Sequence, residues 1–367
     1  MKKLKIGIIG CGGIANSKHM PALQKLGDRC EMTAFCDIVP ERAEEAAKTY
    51  GVPNAKTYTD YKELLKDKEI DVVHVLTPNV SHCPITVDAF AAGKHVMCEK
   101  PMAATTEDAQ AMLDAWKKSG KKFTVGYQNR FRQDAMCLHA ACEAGELGDI
   151  YVGKAHAIRR RAVPTWGVFP NKALQGGGPL IDIGTHALDL TLWCMDNYEV
   201  ESVTGSVFYK MGNLPSAVEG NKFGPWDPKT YEVEDSAFGF IKMKNGATIF
   251  LEASWALNVK QSREACCTLC GTLAGAEMLG AMSTGEHDLL FNKTCHGVLT
   301  EEHFSQGDEV AFFEGESKEP QDLEAQQWLS CIENDTDPVV LPEQAFMVTK
   351  ILDAIYQSAK TGKEIKF

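Results

Sequence analysis

Leu4-Lys5-Ile6-Gly7-Ile8-Ile9-Gly10-Cys11-Gly12-Gly13-Ile14-Ala15 is the stretch whose reading decides the fold. Leu4 to Ile9 is short and apolar, which predicts a buried strand. Gly10, Gly12 and Ala15 follow it in G-x-G-x-x-A spacing, and a helical pattern then runs to about Leu26. A second strand, Met32 to Cys36, ends at Asp37. Strand, tight turn, helix, strand and acid, in that order, form the context in which this glycine pattern predicts dinucleotide binding. Gly10 permits the turn, Gly12 lets the backbone approach a pyrophosphate, and Ala15 keeps helix and strand close. The helix start at Gly13 and Ile14 offers N–H groups to the phosphates. A carboxylate at Asp37 accepts from ribose hydroxyls and repels a 2′-phosphate. Ile38 stands where an arginine would favour NADP, so the expected cofactor is NAD.

Working outward, strands and helices alternate. Helices are expected over Pro40–Tyr50, from the Asp60 cap to Leu65, over Ser81–Ala92, and from Thr105 to Ser119. Strands are expected over Asp71–Leu76, His95–Cys98 and Lys122–Val125. Strict alternation predicts an α/β Rossmann domain, a doubly wound parallel sheet spanning residues 1–128. Ligands of such sheets bind outside the carboxyl ends of the strands. That rule places Thr77 and Asn79 after the third strand, with His82 at the helix that follows, among the cofactor-binding candidates. Glu99, Lys100 and Pro101 hang off the end of His95–Cys98, and Gln128 and Asn129 follow the last strand. Glu99, Lys100 and Gln128 are expected at the cofactor, Lys100 and Asn129 at the substrate.

After Asn129 the pattern changes. A helix from Asp134 to Ala144 leads into strands at Ile150–Ile158, Val200–Phe208, Ala237–Met243 and Ala247–Trp255, with weaker ones to Phe291. Two helices, Gln321–Asn334 and Pro342–Ala359, close the chain. Residues 129–367 are therefore expected to form an α+β domain built on a largely antiparallel open sheet. Met211–Glu234, rich in Gly and Pro, is long for a connection and reads as a lid over substrate or an arm to a neighbouring subunit.

The 367 residues carry a formal net charge of -12, which argues against a nucleic-acid partner. No apolar run is long enough to cross a bilayer. Lys3 and the apolar residues after it resemble a leader only until the glycines interrupt them, so the expected location is the cytoplasm. The 13 cysteines are odd in number and scattered, fitting reduced thiols. Cys266, Cys267 and Cys270 lack a second Cys/His pair at ligand spacing, and no metal site is expected.

Gly176-Gly177-Gly178-Pro179-Leu180-Ile181-Asp182-Ile183-Gly184-Thr185-His186 opens a helix to about Cys194. Asp182 and His186 are four apart and share one helix face. Histidine titrates near neutrality, which suits a group that takes a hydroxyl proton and returns it. Asp182 can orient the imidazole or hold a substrate hydroxyl. The three glycines are expected to let a ligand approach the backbone.

The glycine fingerprint, Glu99-Lys100-Pro101 and the Gly176–His186 run, in this order, resemble the glucose-fructose oxidoreductase / inositol dehydrogenase / MocA family over essentially the whole chain. The resemblance implies a Rossmann domain plus a C-terminal α/β domain whose sheet often forms subunit interfaces, hence a homo-oligomer. It implies that Lys100 sits beside nicotinamide and substrate oxygen, that His186 is the general base assisted by Asp182, and that the Lys100–Pro101 peptide is cis. The implied substrate is a sugar, glycoside or cyclitol oxidised at a secondary hydroxyl. Arg160, within Arg159-Arg160-Arg161, and Trp166 are expected to reach it. A guanidinium and an aromatic face suit a pyranose ring, and the arrangement is similar to members acting on the 3-hydroxyl of glucosides. A redox glycosidase that retains its NAD and a catalytically silent sugar sensor are the other two classes. The sensor is disfavoured by the presence of Lys100, Asp182 and His186.

Overall fold

The computed structural model describes residues 3–280, 288–304 and 319–367. The first sheet has six strands: β1 (Leu4–Ile9), β2 (Cys30–Cys36), β3 (Lys56–Tyr58), β4 (Val72–Val75), β5 (His95–Cys98) and β6 (Phe123–Val125). Their order is β3-β2-β1-β4-β5-β6 and every pairing is parallel. The order reverses beside β1, so the carboxyl ends of β1 and β4 flank the crevice where such sheets bind ligands. Ile6, Ile8, Val72 and Val96 are fully buried, because helices cover both faces of a parallel sheet. Local chemistry sets the helix ends. Asp60 accepts the Lys62 N–H at 2.9 Å, and Thr105 Oγ1 accepts that of Asp108 at 3.1 Å. Gly120, at φ 64°, ends the helix Thr106–Ser119 in the left-handed conformation.

The second sheet has nine strands: β7 (Ile150–Ile158), β8 (Val200–Phe208), β9 (Ser236–Met243), β10 (Thr248–Ser254), β11 (Arg263–Gly271), β12 (Ala274–Leu279), β13 (Asp288–Cys295), β14 (Val298–His303) and β15 (Ile365–Lys366). Their order is β14-β13-β12-β11-β7-β10-β9-β8-β15. Only β7 and β10 pair in parallel; the other pairings are antiparallel. One face is covered by the helices Gln133–Glu143 and Thr185–Met195 through Leu138, Leu190 and Trp193, which meet Cys267, Leu269 and Met278.

The chain forms two compact units, Met1–Gln128 with Lys318–Phe346, and Asn129–Ser317 with Met347–Phe367. Residues 318–346, assigned from sequence to the second domain, thus return to the first. The physical reason is the apolar stripe of helix Pro320–Asn334. Its Ala325, Trp328 and Leu329 join Ile6, Phe35 and Met97 in the first core.

Candidate active site

In the first unit the glycine loop leaves β1 with Gly10 at φ 94°. A Cβ there would meet the Leu76 carbonyl oxygen at 2.6 Å, so only glycine fits. Beyond the local main chain and immediate neighbours, none of the described residues comes within 4 Å of a Cβ added at Gly12 or Gly13. That open cradle faces the start of the helical run after Gly12 and fits a pyrophosphate. Asn16, which sequence reasoning passed over, pins the loop by donating to the Cys11 and Gly12 carbonyls, both at 2.9 Å. Ile14 is partly exposed on the same loop. Asp37, at the end of β2, accepts the Cys11 N–H at 2.8 Å and the Val39 N–H at 2.9 Å. These two donors orient its carboxylate and leave lone pairs for ribose hydroxyls. Thr77, just past β4, carries a buried hydroxyl with no hydrogen-bond partner among the described residues, and Asn79 is buried close by in sequence. The free cradle, the oriented carboxylate and this hydroxyl together fit a dinucleotide.

His82 is placed differently from its expected role at the cofactor. It is fully buried, and its two ring nitrogens lie 2.9 Å from the Pro101 and Thr77 carbonyl oxygens. It therefore fastens the end of β4 to the Lys100–Pro101 turn instead of presenting a surface to a ligand. Glu99 also faces inward. Its Oε1 accepts from Lys18 Nζ at 2.9 Å and pairs with His19 Nε2 at 2.8 Å; its Oε2 accepts the Lys100 N–H at 2.9 Å. Burial opposes this charge, but Lys18, His19 and Lys100 outweigh it and hold the carboxyl well below the usual range. Lys18 bonds Glu324 as well, at 3.1 Å, tying the turn to helix Pro320–Asn334. Lys18 and His19 reach inward from a wide π turn, Ala15–His19, which ends two residues before Pro21. Pro21 has no N–H to offer the Ser17 carbonyl, which is one cause of such a turn. The Lys100–Pro101 peptide is cis, and Lys100 is half-buried. Gly126 is explained by Glu99 too, since a Cβ there would meet its carboxylate at 3.1 Å. Gln128 is half-buried on the turn that follows.

In the second unit, Asn129 is buried and its amide nitrogen has no hydrogen-bond partner among the described residues. Asp182 lies in a π turn, Leu180–Gly184, and His186 in the first turn of the α-helix Thr185–Met195. Wide turns of this kind concentrate at functional sites. Asp182 is buried and accepts the Trp255 indole N–H at 3.0 Å; His186 is half-buried. Trp255 in turn touches Phe169 edge-on at 6.2 Å, and Phe169 touches Trp166 at 5.8 Å. An aromatic path thus runs from the half-exposed Trp166 to Asp182. Phe223, from the 211–234 segment, meets Trp166 edge-on at 4.7 Å. That segment packs on its own unit: Asn221 bonds Val163 through both its amide atoms, and Trp226 is buried. Arg160 is exposed, and it is Arg159 that approaches Asp182 electrostatically, held by a bidentate pair with Glu264 at 2.8 and 2.5 Å.

The Gly176–Gly178 run is also placed differently from expectation. A Cβ on Gly177 would meet the Tyr356 hydroxyl at 2.1 Å, and one on Gly178 the Glu234 carbonyl oxygen at 2.2 Å. At Gly177 and Gly178 the missing side chains admit the protein itself, not a ligand. Trp255, Glu234 and Tyr356 were missed because their partners lie 73, 56 and 122 residues away in sequence. Among the described residues no group of three or more His, Cys, Asp or Glu side chains is placed to hold a metal ion, and all 13 cysteines are free thiols.

This geometry can be set beside known proteins. The chain is 36% identical over 99% of its length, and 97% of the relative's, to a D-glucoside 3-dehydrogenase of Escherichia coli. It is 38% identical to an inositol 2-dehydrogenase of Salmonella paratyphi B over 44% of this chain and 48% of that one. Among solved structures, an aldose-aldose oxidoreductase of Caulobacter crescentus superposes with a TM-score of 0.80 at 25% identity, covering 100% of both chains. Residues 4–127 match the family model for an oxidoreductase NAD-binding Rossmann fold, and residues 140–367 that for its C-terminal alpha/beta domain. The chain therefore belongs to the glucose-fructose oxidoreductase / inositol dehydrogenase / MocA family of NAD-binding oxidoreductases.

Proposed function

We propose that the chain oxidises a secondary hydroxyl of a glycoside, with the 3-hydroxyl of a glucosyl ring as first candidate. The observation that carries this reading is the relationship along almost the whole chain to a D-glucoside 3-dehydrogenase. It is supported by Lys100, Asp182 and His186, and by the aromatic path from Trp166 to Trp255. Bound NAD supplies the hydride acceptor. His186 takes the hydroxyl proton as general base, and Asp182, held by the Trp255 indole, orients it. Lys100 bonds the same oxygen and stabilises the charge developing there. Glu99, fixed by Lys18 and His19, holds the Lys100 main chain still. Trp166 and Phe223 offer apolar edges and faces to a pyranose ring, with Asn129 and Arg160 as further polar contacts.

Preference for NAD over NADP follows from the Asp37 carboxylate and from Ile38, which is 87% exposed and brings no cation to a 2′-phosphate. A homo-oligomer formed through the second sheet is supported by its exposed aromatics, Phe208 beside Phe238 and Phe250 beside Phe240. The 13 free thiols support a reducing, cytoplasmic setting.

The test is a spectrophotometric screen for NADH release over hexoses, inositols and aryl glucosides, with His186→Ala alongside. Net NADH with a glucoside is expected, and kcat in the variant should fall by roughly 10²–10⁴-fold while NAD binding survives. Glycoside cleavage without net NADH would point to the redox glycosidase instead.

A further inference from the structure

Glu234 enters none of the roles derived so far, yet it is 1% exposed and fully engaged. Both its carboxylate oxygens accept the Gly178 N–H, at 3.0 and 2.9 Å. Its Oε1 also accepts the Leu180 N–H at 3.3 Å and the Tyr356 hydroxyl at 2.7 Å. Its own carbonyl oxygen fills the space beside Gly178 and receives the Tyr231 hydroxyl at 3.4 Å. These contacts meet at the amino end of the helical run that carries Asp182 in its π turn and His186 in the next.

Charge state decides what such a group does. The Gly178 and Leu180 N–H groups and the Tyr356 hydroxyl all donate to the Glu234 carboxylate, as suits an ionised acceptor. The titratable neighbours are Tyr356, Tyr231 and Tyr209, with Asp235 next in the chain. Asp235 turns one oxygen to the N–H groups of Lys210, Met211 and Gly212 and the other to the Ser236 hydroxyl. Beyond the π turn, Asp182 faces Arg159, which is paired with Glu264. Burial pushes the Glu234 carboxyl up, and Tyr356 and the Gly178 and Leu180 N–H groups offset part of that. The helix start adds a favourable positive end for a negative charge.

We propose that Glu234 is a positioning residue for the acid–base pair, its buried carboxylate clamping the helix start from which Asp182 and His186 project. The inference rests on the reading of His186 as the base. His186 lies eight residues past Gly178, roughly 12 Å along a helix at 1.5 Å per residue. A buried negative charge at that range makes an imidazole more basic, and Tyr356 fixes where the charge sits.

Glu234→Gln keeps the size and removes the charge. The acid limb of its kcat/KM profile should move to lower pH, by roughly half a unit to one unit. Its kcat should fall on the order of 10-fold with the KM for NAD unchanged. A second reading needs no turnover: the pH dependence of His186 carbethoxylation, followed by peptide mapping, should move by the same amount. A variant that melts earlier but leaves both the limb and His186 reactivity where they were would reduce Glu234 to a packing residue and overturn the proposal. A wild type that oxidises no carbohydrate would remove the functional reading, while the reactivity measurement would still decide this one. Should Glu234→Gln not fold, Tyr356→Phe decides. It should lower kcat several-fold at an unchanged KM for NAD, and an unchanged kcat would sink the clamp.

Discussion

Around Gly12 and Gly13, beyond the local main chain and immediate neighbours, no atom of the described residues lies within 4 Å of where a Cβ would stand. At Gly177 and Gly178 the same position is filled, by the Tyr356 hydroxyl at 2.1 Å and the Glu234 carbonyl oxygen at 2.2 Å. Both runs precede a helix start, both are glycine-rich, and both belong to motifs by which the family is known. One leaves room for a ligand that the chain must bind; the other leaves room for the chain itself. The difference teaches that a glycine in a motif reports a missing side chain, and that only the fold says what stands in its place. In the second run the room lets a buried carboxylate, that of Glu234, reach the start of the helical run that carries Asp182 and His186.

The comparison breaks most visibly at Gly178. An added methyl would face main-chain oxygen, with the Glu234 carboxyl carbon at 3.2 Å and Val233 at 3.0 Å, and main chain cannot swing aside as a side chain can. Gly178→Ala should destabilise the chain by about 3 kcal/mol in urea unfolding, at the upper end of overpacking costs. It should lose activity with it. A midpoint unchanged from wild type would mean that Gly178 is open, as Gly12 is.

How much of this was legible beforehand follows from the range of the interactions. The Rossmann alternation could be read because its longer strands, turns and helices are written in consecutive residues, from Leu4–Ile9 through the Thr105 cap to β6; the three-residue edge strand β3, with Lys56 and Thr57 exposed, carries no such pattern and was not expected. Gly10 and Asp37 were legible for the same reason, being separated by one βαβ unit. The inward turn of Glu99 was not, since its partners Lys18 and His19 lie 81 and 80 residues away. His82 looked available because it follows Thr77-Pro78-Asn79; its burial depends on Pro101 arriving beside it. Helix Pro320–Asn334 reads as an ordinary amphipathic helix, and nothing in its own pattern says that the core it completes was built by residues 6–97. The path from Trp166 to Asp182 needed β10 to bring Trp255 beneath Asp182, a placement that no local period encodes.

Gly177 sharpens the comparison, because the atom that fills its space is the end of a side chain. Gly177→Ala should cost about 1–2 kcal/mol, less than Gly178→Ala, as the Tyr356 ring shifts and weakens its bond to Glu234. In a Tyr356→Phe background the offending oxygen is gone, and the same substitution should cost about 1 kcal/mol less. Strict additivity in the double-mutant cycle would show that Tyr356 does not occupy the space.

Gly12 should give the smallest effect on stability and so the clearest contrast. Its φ is not in the left-handed region, unlike that of Gly10, and an alanine there meets nothing within 4 Å. Gly12→Ala should therefore leave the unfolding free energy within about 0.5 kcal/mol of wild type, or raise it slightly by restricting the unfolded chain. The methyl group nevertheless enters the cradle between the Asn16-pinned loop and the helix start, where the pyrophosphate must come close to main-chain N–H groups. NAD affinity, measured by calorimetry, should fall at least ~10-fold, equivalent to about 1.4 kcal/mol. Turnover at saturating NAD should change far less, because Lys100, Asp182 and His186 are untouched. The two readouts must separate: a stability loss with intact NAD binding would show a structural glycine like Gly178, whereas intact stability with lost NAD binding identifies space reserved for the cofactor.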